Sequence, residues 1–195
     1  MALQDLWVRW LEKELYVTEF QNPSSSFFTI EESFTDQTTQ TAITTDSPQI
    51  VKFGIAKTSP NGIISIDNTG VLTILKTGPL SFKSRVNLGR TGASGTSILH
   101  LWVEGSLDGI TWSILGNSVK VHLDSSTEID TFFDFTPIYL TKNYKLRTMF
   151  ARSSLGTNYG DIIQAPLSSG LASYGLAPTP SAQLSVYRSN NWNYV

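Results

Sequence analysis

The feature that most constrains this chain is a succession of short β-branched and aromatic runs after Pro48, separated by turn residues roughly every ten positions. No helical periodicity lies between the runs, which disfavours a parallel sheet with crossover helices. The spacing is typical of an antiparallel all-β sandwich or barrel. The candidate strands are Ile50–Phe53, Ile63–Ile66, Val71–Leu75, Leu80–Leu88, Ile98–Val103, Trp112–Leu115, Val119–Leu123, Ile129–Phe135, Tyr144–Phe150 and Leu184–Tyr187.

The segments between these runs contain the residues that tight reversals require. Asn61-Gly62, Thr77-Gly78-Pro79 and Asp108-Gly109 supply positive φ angles or a preset φ. The stretch from Leu155 to Pro180 differs, because it is rich in Gly, Ser, Ala and Pro and exceeds the usual length of a connection. We therefore expect a long loop there, either functional or partly mobile, before the last strand.

The N-terminal segment, Leu3 to Val17, places apolar residues three to four positions apart, which fits an amphipathic helix. Its apolar face contains Leu3, Trp7, Trp10 and Leu11, which are the candidate partner-binding residues. A short isolated helix is marginally stable in water, so this face must be buried elsewhere. Packing on the chain's own sandwich and docking on a partner or sister subunit are both open.

Composition divides the chain into four parts. Residues 1–20 form the predicted helix. Residues 21–47 are rich in Thr, Ser, Gln and acidic residues without a lasting period, which indicates an extended arm or linker. Residues 48–188 carry the strand pattern, and residues 189–195 form a short aromatic tail.

Low charge limits the classes of partner. Charged residues make up 15% of the chain, against roughly 25% in an average soluble domain. The net charge of −2 lacks the electrostatic signature of a nucleic-acid or acidic-membrane binder. The chain has no cysteine, which excludes a disulfide framework and thiolate chemistry. Arg9, Glu12 and Lys13 interrupt the only long apolar patch, so we expect neither a signal peptide nor a membrane span.

Catalytic and metal-binding patterns are scarce. The two histidines, His100 and His122, each lie within an alternating run, and no spacing connects either one to a carboxylate. A Ser-His-Asp triad is defined by geometry rather than by sequence order, so it stays open. Acidic residues are scattered singly apart from Glu31-Glu32, and no calcium-loop pattern is present. We therefore predict no enzyme activity, no metal and no cofactor.

Two turns invite specific interpretations. The Gly-rich stretch Gly89–Ser97 lacks the lysine of a phosphate-binding loop, so we interpret it as a hairpin end in which Arg90 is a candidate contact for an anion. The stretch Ser106–Trp112 resembles the turn motif called an Asp box, one residue short of the usual spacing. We expect Asp108-Gly109 to form the turn and Trp112 to be a core or sheet-face aromatic.

Several short motifs follow one another in a characteristic order. They are Phe53-Gly54, Ile64–Ile74, Thr77-Gly78, Asn87–Gly92, Gly116–Ser118, Val121–Asp124, Arg152–Gly156 and Pro180–Arg188. In this order they resemble the jelly-roll domains of the complement globular-head and tumour-necrosis-factor-like superfamily, in the version found in bacteriophage virion proteins. The resemblance covers roughly two-thirds of the chain.

The resemblance implies an antiparallel jelly-roll sandwich of roughly eight to ten strands, usually trimeric. The predicted fold class is therefore all-β, with the helix and extended arm added at the N-terminus. We expect a phage virion structural protein, namely a capsid decoration or cement protein. It would bind other virion proteins through its N-terminal segment and form a homo-oligomer, with a trimer favoured, through the jelly roll. Fold alone does not establish function, so these are expectations.

The alternative is a receptor-binding or fibre module that recognises a saccharide on the host surface. Trp112, Tyr159 and Tyr174 would then contact the sugar together with amides of the long 155–180 loop. The competing interpretation is that this loop only covers one end of the sandwich. Neither hypothesis involves nucleic acid or a membrane.

Overall fold

A computed structural model describes residues 28–42, 44–90, 95–124, 129–133, 138–157, 160–164, 172–173, 175–176 and 178–189. The predicted N-terminal helix therefore lies outside the described residues. No helix within them is long and apolar enough to cross a membrane. The candidate site residues that lie outside these ranges are Leu3, Trp7, Trp10, Leu11, Tyr159 and Tyr174.

The described residues form fourteen strands. They are β1 (Phe28–Asp36), β2 (Gln40–Thr41), β3 (Gln49–Ile50), β4 (Lys57–Thr58), β5 (Ile64–Ile66), β6 (Leu72–Ile74), β7 (Gly78–Arg90), β8 (Ser97–Ser106), β9 (Ser113–Leu123), β10 (Ile129–Phe133), β11 (Ile138–Leu140), β12 (Lys145–Arg152), β13 (Gly160–Ile162) and β14 (Ala182–Ser189).

The strands form two antiparallel sheets. Sheet A has the order β1-β14-β7-β13-β2, with β10 and β11 also paired to β7. Sheet B has the order β4-β5-β6-β12-β8-β9, with β3 also paired to β12. Most neighbouring strands are not consecutive in sequence, so the chain passes repeatedly between the sheets, as in the Greek-key connections of a jelly roll. The predicted all-β jelly-roll sandwich is confirmed.

The core lies between the two sheets and consists of the inward side chains of alternating strands. In β7, the side chains of Leu80, Phe82, Val86 and Leu88 are buried in this core. Ser84, on the same side of the strand, is also buried, whereas the alternate residues from Ser81 to Arg85 are more exposed. Burying one such large apolar side chain stabilises the fold by roughly 1.5–3 kcal/mol. The core therefore supplies most of the free energy that holds the two sheets together.

The segment expected to be an arm or linker belongs to the sandwich from residue 28 onward. Strand β1 pairs antiparallel with β14, and the side chains of Phe34 and Ala42 are buried in the core. The extended conformation is present, and part of the segment also contributes side chains to the core of the sandwich. A bulge between Ile30 and Glu32 shifts the register of β1. Because the bulge interrupts the alternation of inward and outward residues, no period of two is visible in the sequence.

The Gly-rich connection after β7 is not the hairpin end that the sequence suggested, because β7 belongs to sheet A and β8 to sheet B. Arg90 is the last residue of β7, and its side chain is buried. Its guanidinium donates hydrogen bonds to the backbone carbonyl oxygens of Gly95 and Asp124. Arg90 therefore fastens the connection between the sheets through these two backbone carbonyls.

Candidate interaction surface

The outer face of sheet B carries aromatic and apolar side chains that do not belong to the core. In β8, Leu99 and Leu101 point into the core, so His100, Trp102 and Glu104 point outward on the opposite face. The residues paired with these three on β12 are Ala151, Met149 and Arg147.

Two tryptophans, one glutamate and one arginine contact one another on this face, and we call them the tryptophan cluster. The indole Nε1 of Trp102 donates a hydrogen bond to Glu104 Oε1 at 2.8 Å. The other carboxylate oxygen of Glu104 accepts from Arg147 Nη2 at 2.6 Å and from Arg147 Nε at 2.7 Å. The guanidinium carbon of Arg147 also lies 3.9 Å from the centre of the Trp112 ring, which is a cation–π contact. Trp112 lies just before β9 and is half-buried, and Arg147 covers one face of its ring.

Asp108 organises the turn between β8 and β9. Its Oδ1 accepts hydrogen bonds from the backbone N–H groups of Ile110 and Thr111 at 2.8 and 2.7 Å, and from the Ser106 hydroxyl at 2.9 Å. The Ser106 oxygen accepts in turn from the N–H of Gly109, whose φ is 75°. These donors, the backbone N–H of Ile110 foremost, hold the pKa of the Asp108 carboxyl well below its ordinary value. The predicted Asp-Gly turn is confirmed.

Replacing Asp108 with alanine is expected to lower the melting temperature at neutral pH, with an effect that shrinks in acid. The pKa of Asp108 is lower in the folded chain than in the unfolded chain. Its carboxylate therefore contributes full stabilisation above the unfolded value of about 3.9, and the contribution is lost as the pH falls through the folded pKa. Thermal unfolding of both chains from about pH 7 to about pH 2 measures this difference. A difference that stays constant over that range would contradict the assignment.

Three exposed aliphatic side chains lie at the β8–β9 end of the sandwich, and we call them the apolar tip. They are Leu107, Ile110 and Ile114, which are 72%, 84% and 59% exposed. Leu107 and Ile110 belong to the turn that Asp108 holds, and Ile114 lies in β9 opposite Glu104. Exposed aliphatic residues that are grouped rather than scattered mark a contact surface. Because the turn is already ordered, binding through the tip costs little conformational entropy.

A shallow depression of about 290 Å³ lies beside Trp102 on the same face. Strand β9 shifts its register opposite Trp102, and Gly116 within the shifted segment has a φ of 76°. This irregularity moves the β9 backbone out of the regular ladder next to the indole. The lining combines the Trp102 ring and the apolar side chain of Ile114 with polar side chains, including those of His100, Ser118 and Ser153.

The two histidines lie on the neighbouring strands β8 and β9 of sheet B. His122 Nε2 lies 3.4 Å from Asp124 Oδ1, but both side chains are more than half exposed. His100 lines the depression together with Asp46, whose carboxylate accepts a hydrogen bond from the N–H of Ser154 at 2.9 Å. Within the described ranges neither histidine is hydrogen-bonded to a serine, and no group of three His, Asp or Glu residues there could hold a metal ion. Within those ranges, therefore, neither histidine is placed as the base of a Ser-His pair.

The outer face of sheet A has a different character. Its central depression, of about 350 Å³, is lined by Lys83, Arg85, Gln183, Ser185 and Tyr187. Hydroxyl, amide and cationic groups therefore predominate on this face, whereas indole and aliphatic groups predominate on sheet B. Sheet A is therefore suited to polar contacts, and sheet B is suited to apolar contacts.

Sequence reasoning found the Asp108 turn and Trp112 but missed the residues that complete the surface. The alternation of β8 was a usable signal, because it already placed Trp102 and Glu104 on one face. Arg147 could not be added from the pattern, because its contact with Glu104 joins residues 43 positions apart. That contact depends on the register between β8 and β12.

No family model matches the chain, and no curated protein matches it. Among solved structures, the chain is similar to the globular domain of zebrafish complement 1qA protein, with 14% identity and a TM-score of 0.43 over 80% of this chain and 94% of that chain. It is also similar to the Eiger TNF from S. frugiperda, with 12% identity and a TM-score of 0.48 over 83% of this chain and 92% of that chain. Both similarities concern the fold alone, which is defined here by the order of strands in the two sheets.

Proposed function

We propose that this protein is a non-enzymatic structural component of a phage particle, namely a capsid decoration or cement protein. The observation that carries the proposal is the outer face of sheet B, where a rigid turn holds an apolar tip outward beside a fixed tryptophan cluster. Such a surface suits binding to another protein, because exposed apolar groups and aromatic anchors supply most of the energy of protein interfaces.

The sequence supports attachment through the N-terminal segment. That segment carries an apolar face with Trp7 and Trp10, and tryptophan is among the residues most enriched at binding hot spots. The low charge of the whole chain points the same way, because a surface evolved only for solubility favours more charged residues. The order of motifs that resembles phage virion proteins is the reason for naming a capsid as the partner.

We assign homo-oligomerisation, with a trimer favoured, to the outer face of sheet A. Ser33, Gln183 and Ser185 form a row of short hydroxyl and amide side chains across β1 and β14, with Ser33 Oγ 3.5 Å from Ser185 Oγ. Short side chains let a second sheet approach closely, and their hydroxyl and amide groups are available for hydrogen bonds across a subunit interface. The preference for three subunits comes from the family resemblance.

Replacing Trp10 with alanine is expected to weaken binding to empty capsid shells at least roughly thirty-fold, because a buried tryptophan anchor commonly contributes 2 kcal/mol or more. The fold and the oligomer should be unchanged, since residue 10 precedes the first described strand. Co-sedimentation with purified shells measures binding, and light scattering measures the oligomer.

Trp192→Ala is the matched control, because Trp192 belongs to the C-terminal tail rather than to the amphipathic segment. It should bind shells like the unmodified protein. Equal binding by the Trp10 and control variants would refute attachment through the N-terminal segment. A purified protein that neither binds shells nor oligomerises would refute the proposed function as a whole.

A saccharide-binding receptor module is the second candidate, and the depression beside Trp102 is the observation that favours it. An aromatic ring and an aliphatic side chain, flanked by the polar side chains of His100, Ser118 and Ser153, suit a hydroxylated ligand with one apolar face. The same two variants distinguish the candidates when they are applied to beads that carry host cell-surface polysaccharide. Bead binding that survives Trp10→Ala, without any binding to shells, would favour the receptor module.

A further inference from the structure

The apolar tip lies at the end of the sandwich where the described chain both begins and ends. Strand β1 starts at Phe28, which is paired with Ser189 at the end of β14. Near its own end, β14 pairs Arg188 with Leu80, close to the start of β7. Both ends of the described chain therefore leave the sandwich beside the first residues of β7.

The tip belongs to this same end. The start of β7 pairs with the end of β11, where Gly78 lies opposite Leu140. The chain then makes a tight turn into β12, whose first residue, Lys145, pairs with Ser106 at the end of β8. The turn that carries the tip begins at the next residue, Leu107. Phe28, the first described residue, therefore lies at the end of the sandwich on which the tip is exposed.

The remaining length of chain is sufficient for the segment to reach the tip. Ten residues separate Val17, the end of the amphipathic segment, from Phe28, and when extended they span roughly 33–36 Å. The path from β1 to β9 crosses β14, β7 and β10, which contacts β9. Three strand spacings of about 4.8 Å and one sheet spacing of about 10 Å add up to roughly 25 Å.

The two surfaces are complementary in chemistry. The segment has an apolar face that includes Trp7 and Trp10, and the tip has exposed aliphatic side chains, Ile110 among them. A segment tethered at the same end of the sandwich has an effective concentration in the millimolar range, well above that of a second copy in dilute solution. Binding within one chain is therefore favoured over exchange between chains.

We infer that, in the free protein, residues 3–17 dock their apolar face on the apolar tip of the same chain. The contact covers two surfaces that would otherwise both be exposed. The segment cannot bind the tip and a partner through the same face at once, so a partner that binds the segment exposes the tip. This contact belongs to the free protein and does not require that the partner be a capsid.

Disulfide trapping tests this contact sharply, because the natural chain has no cysteine. The variant Glu14→Cys/Ser113→Cys places one thiol on the face of the segment that includes Trp10 and another at the exposed first residue of β9, next to the turn that carries the tip, and it leaves the apolar residues in place. The control variant Glu14→Cys/Leu155→Cys places the second thiol at an exposed aliphatic site next to the start of β8. That site lies about the length of β8 away, roughly 30 Å. Mild oxidation of each free protein, without shells, is followed by non-reducing electrophoresis and mass spectrometry.

The expected result is a disulfide within one chain that forms at least roughly tenfold faster in the Ser113 pair than in the Leu155 pair. Adding Ile110→Asp to the Ser113 pair should reduce its rate to that of the control, because a carboxylate disrupts the apolar contact. Equal rates of disulfide formation in both pairs would overturn the inference, since the segment would then have no preferred binding position on the sandwich. Disulfides mainly between chains would also overturn it and would assign the tip to the segment of a second copy.

Hydrogen exchange provides a second readout that needs no cysteine. Amide hydrogens in residues 3–17 should be protected in the unmodified protein and should exchange faster in Ile110→Asp. Ile110 is exposed, so this substitution should leave protection of the core strands unchanged. Identical exchange of the segment in both proteins would contradict docking on the tip. Because no shells are present, this outcome is separate from any failure of the proposed capsid attachment.

Discussion

Replacing Arg188 with methionine is expected to destabilise the protein by about 3 kcal/mol. The Glu31 carboxylate is completely buried, and its Oε2 lies 3.3 Å from Arg188 Nε. The same oxygen accepts a hydrogen bond from Asn61 Nδ2 at 2.9 Å. Removal of the arginine leaves a buried negative charge with only an amide donor. The effect lies toward the lower end of the range for buried pairs, since the Arg188 side chain is about one-third exposed. Urea unfolding of both chains measures the change.

Two further variants make this result specific. Lys57→Met removes the partner of the neighbouring residue, because Lys57 Nζ lies 2.9 Å from Glu32 Oε2. The lysine is half exposed, so this loss should be less than about 1 kcal/mol. The double variant Glu31→Gln/Arg188→Met should recover most of the stability, because the buried charge is gone. If Arg188→Met were as mild as Lys57→Met, the Glu31–Arg188 ion pair would not contribute the expected stabilisation.

Replacing Phe150 with alanine is expected to destabilise the protein by about 3–5 kcal/mol. Phe150 is 1% exposed, and it faces the core from β12, which is a central strand of sheet B. Truncation removes the burial free energy of the ring and leaves a cavity that rigid strands on both sides fill poorly. Because β12 also carries Arg147, the loss should loosen the tryptophan cluster on the outer face as well.

Thermal unfolding should register this change as a decrease of roughly 10 °C in melting temperature, given about 2–4 °C per kcal/mol for a protein of this size. Leu155→Ala is the matched control, since Leu155 is a large aliphatic residue that is mostly exposed. It should change stability by no more than about 0.5 kcal/mol. Similar melting temperatures for the Phe150 and Leu155 variants would mean that Phe150 does not belong to the core.

Several strands could be predicted from residues that are close in sequence. The run from Leu80 to Leu88 alternates regularly and lies within β7, and the predicted last strand, Leu184–Tyr187, lies within β14. The predictions failed where the pairing is irregular. The runs Trp112–Leu115 and Val119–Leu123 were taken as two strands, but both belong to β9, which shifts its register between them. A bulge changes which side chains point inward without changing their hydrophobicity.

In the candidate surface, too, contacts between residues close in sequence could be predicted, and contacts between distant residues could not. The Asp108 turn was predictable, because its donors and acceptors all lie within five residues of one another. The pairing of Glu104 with Arg147 was not predictable, nor was the burial of Glu31 against Arg188. A charged residue in a polar stretch gives no sign in the sequence that another strand will cover it.

The sequence by itself determined that this chain is built from antiparallel strands and where several of its turns lie, because alternation and turn chemistry act over a few residues. The tertiary structure alone decided which strands share a sheet, which face of each sheet is covered, and that β1 belongs to the sandwich. It also decided that the apolar tip lies at the same end of the sandwich as Phe28 and Ser189. These properties depend on the register between residues that are far apart in sequence, and hydrophobic patterning constrains that register only after the strands have paired.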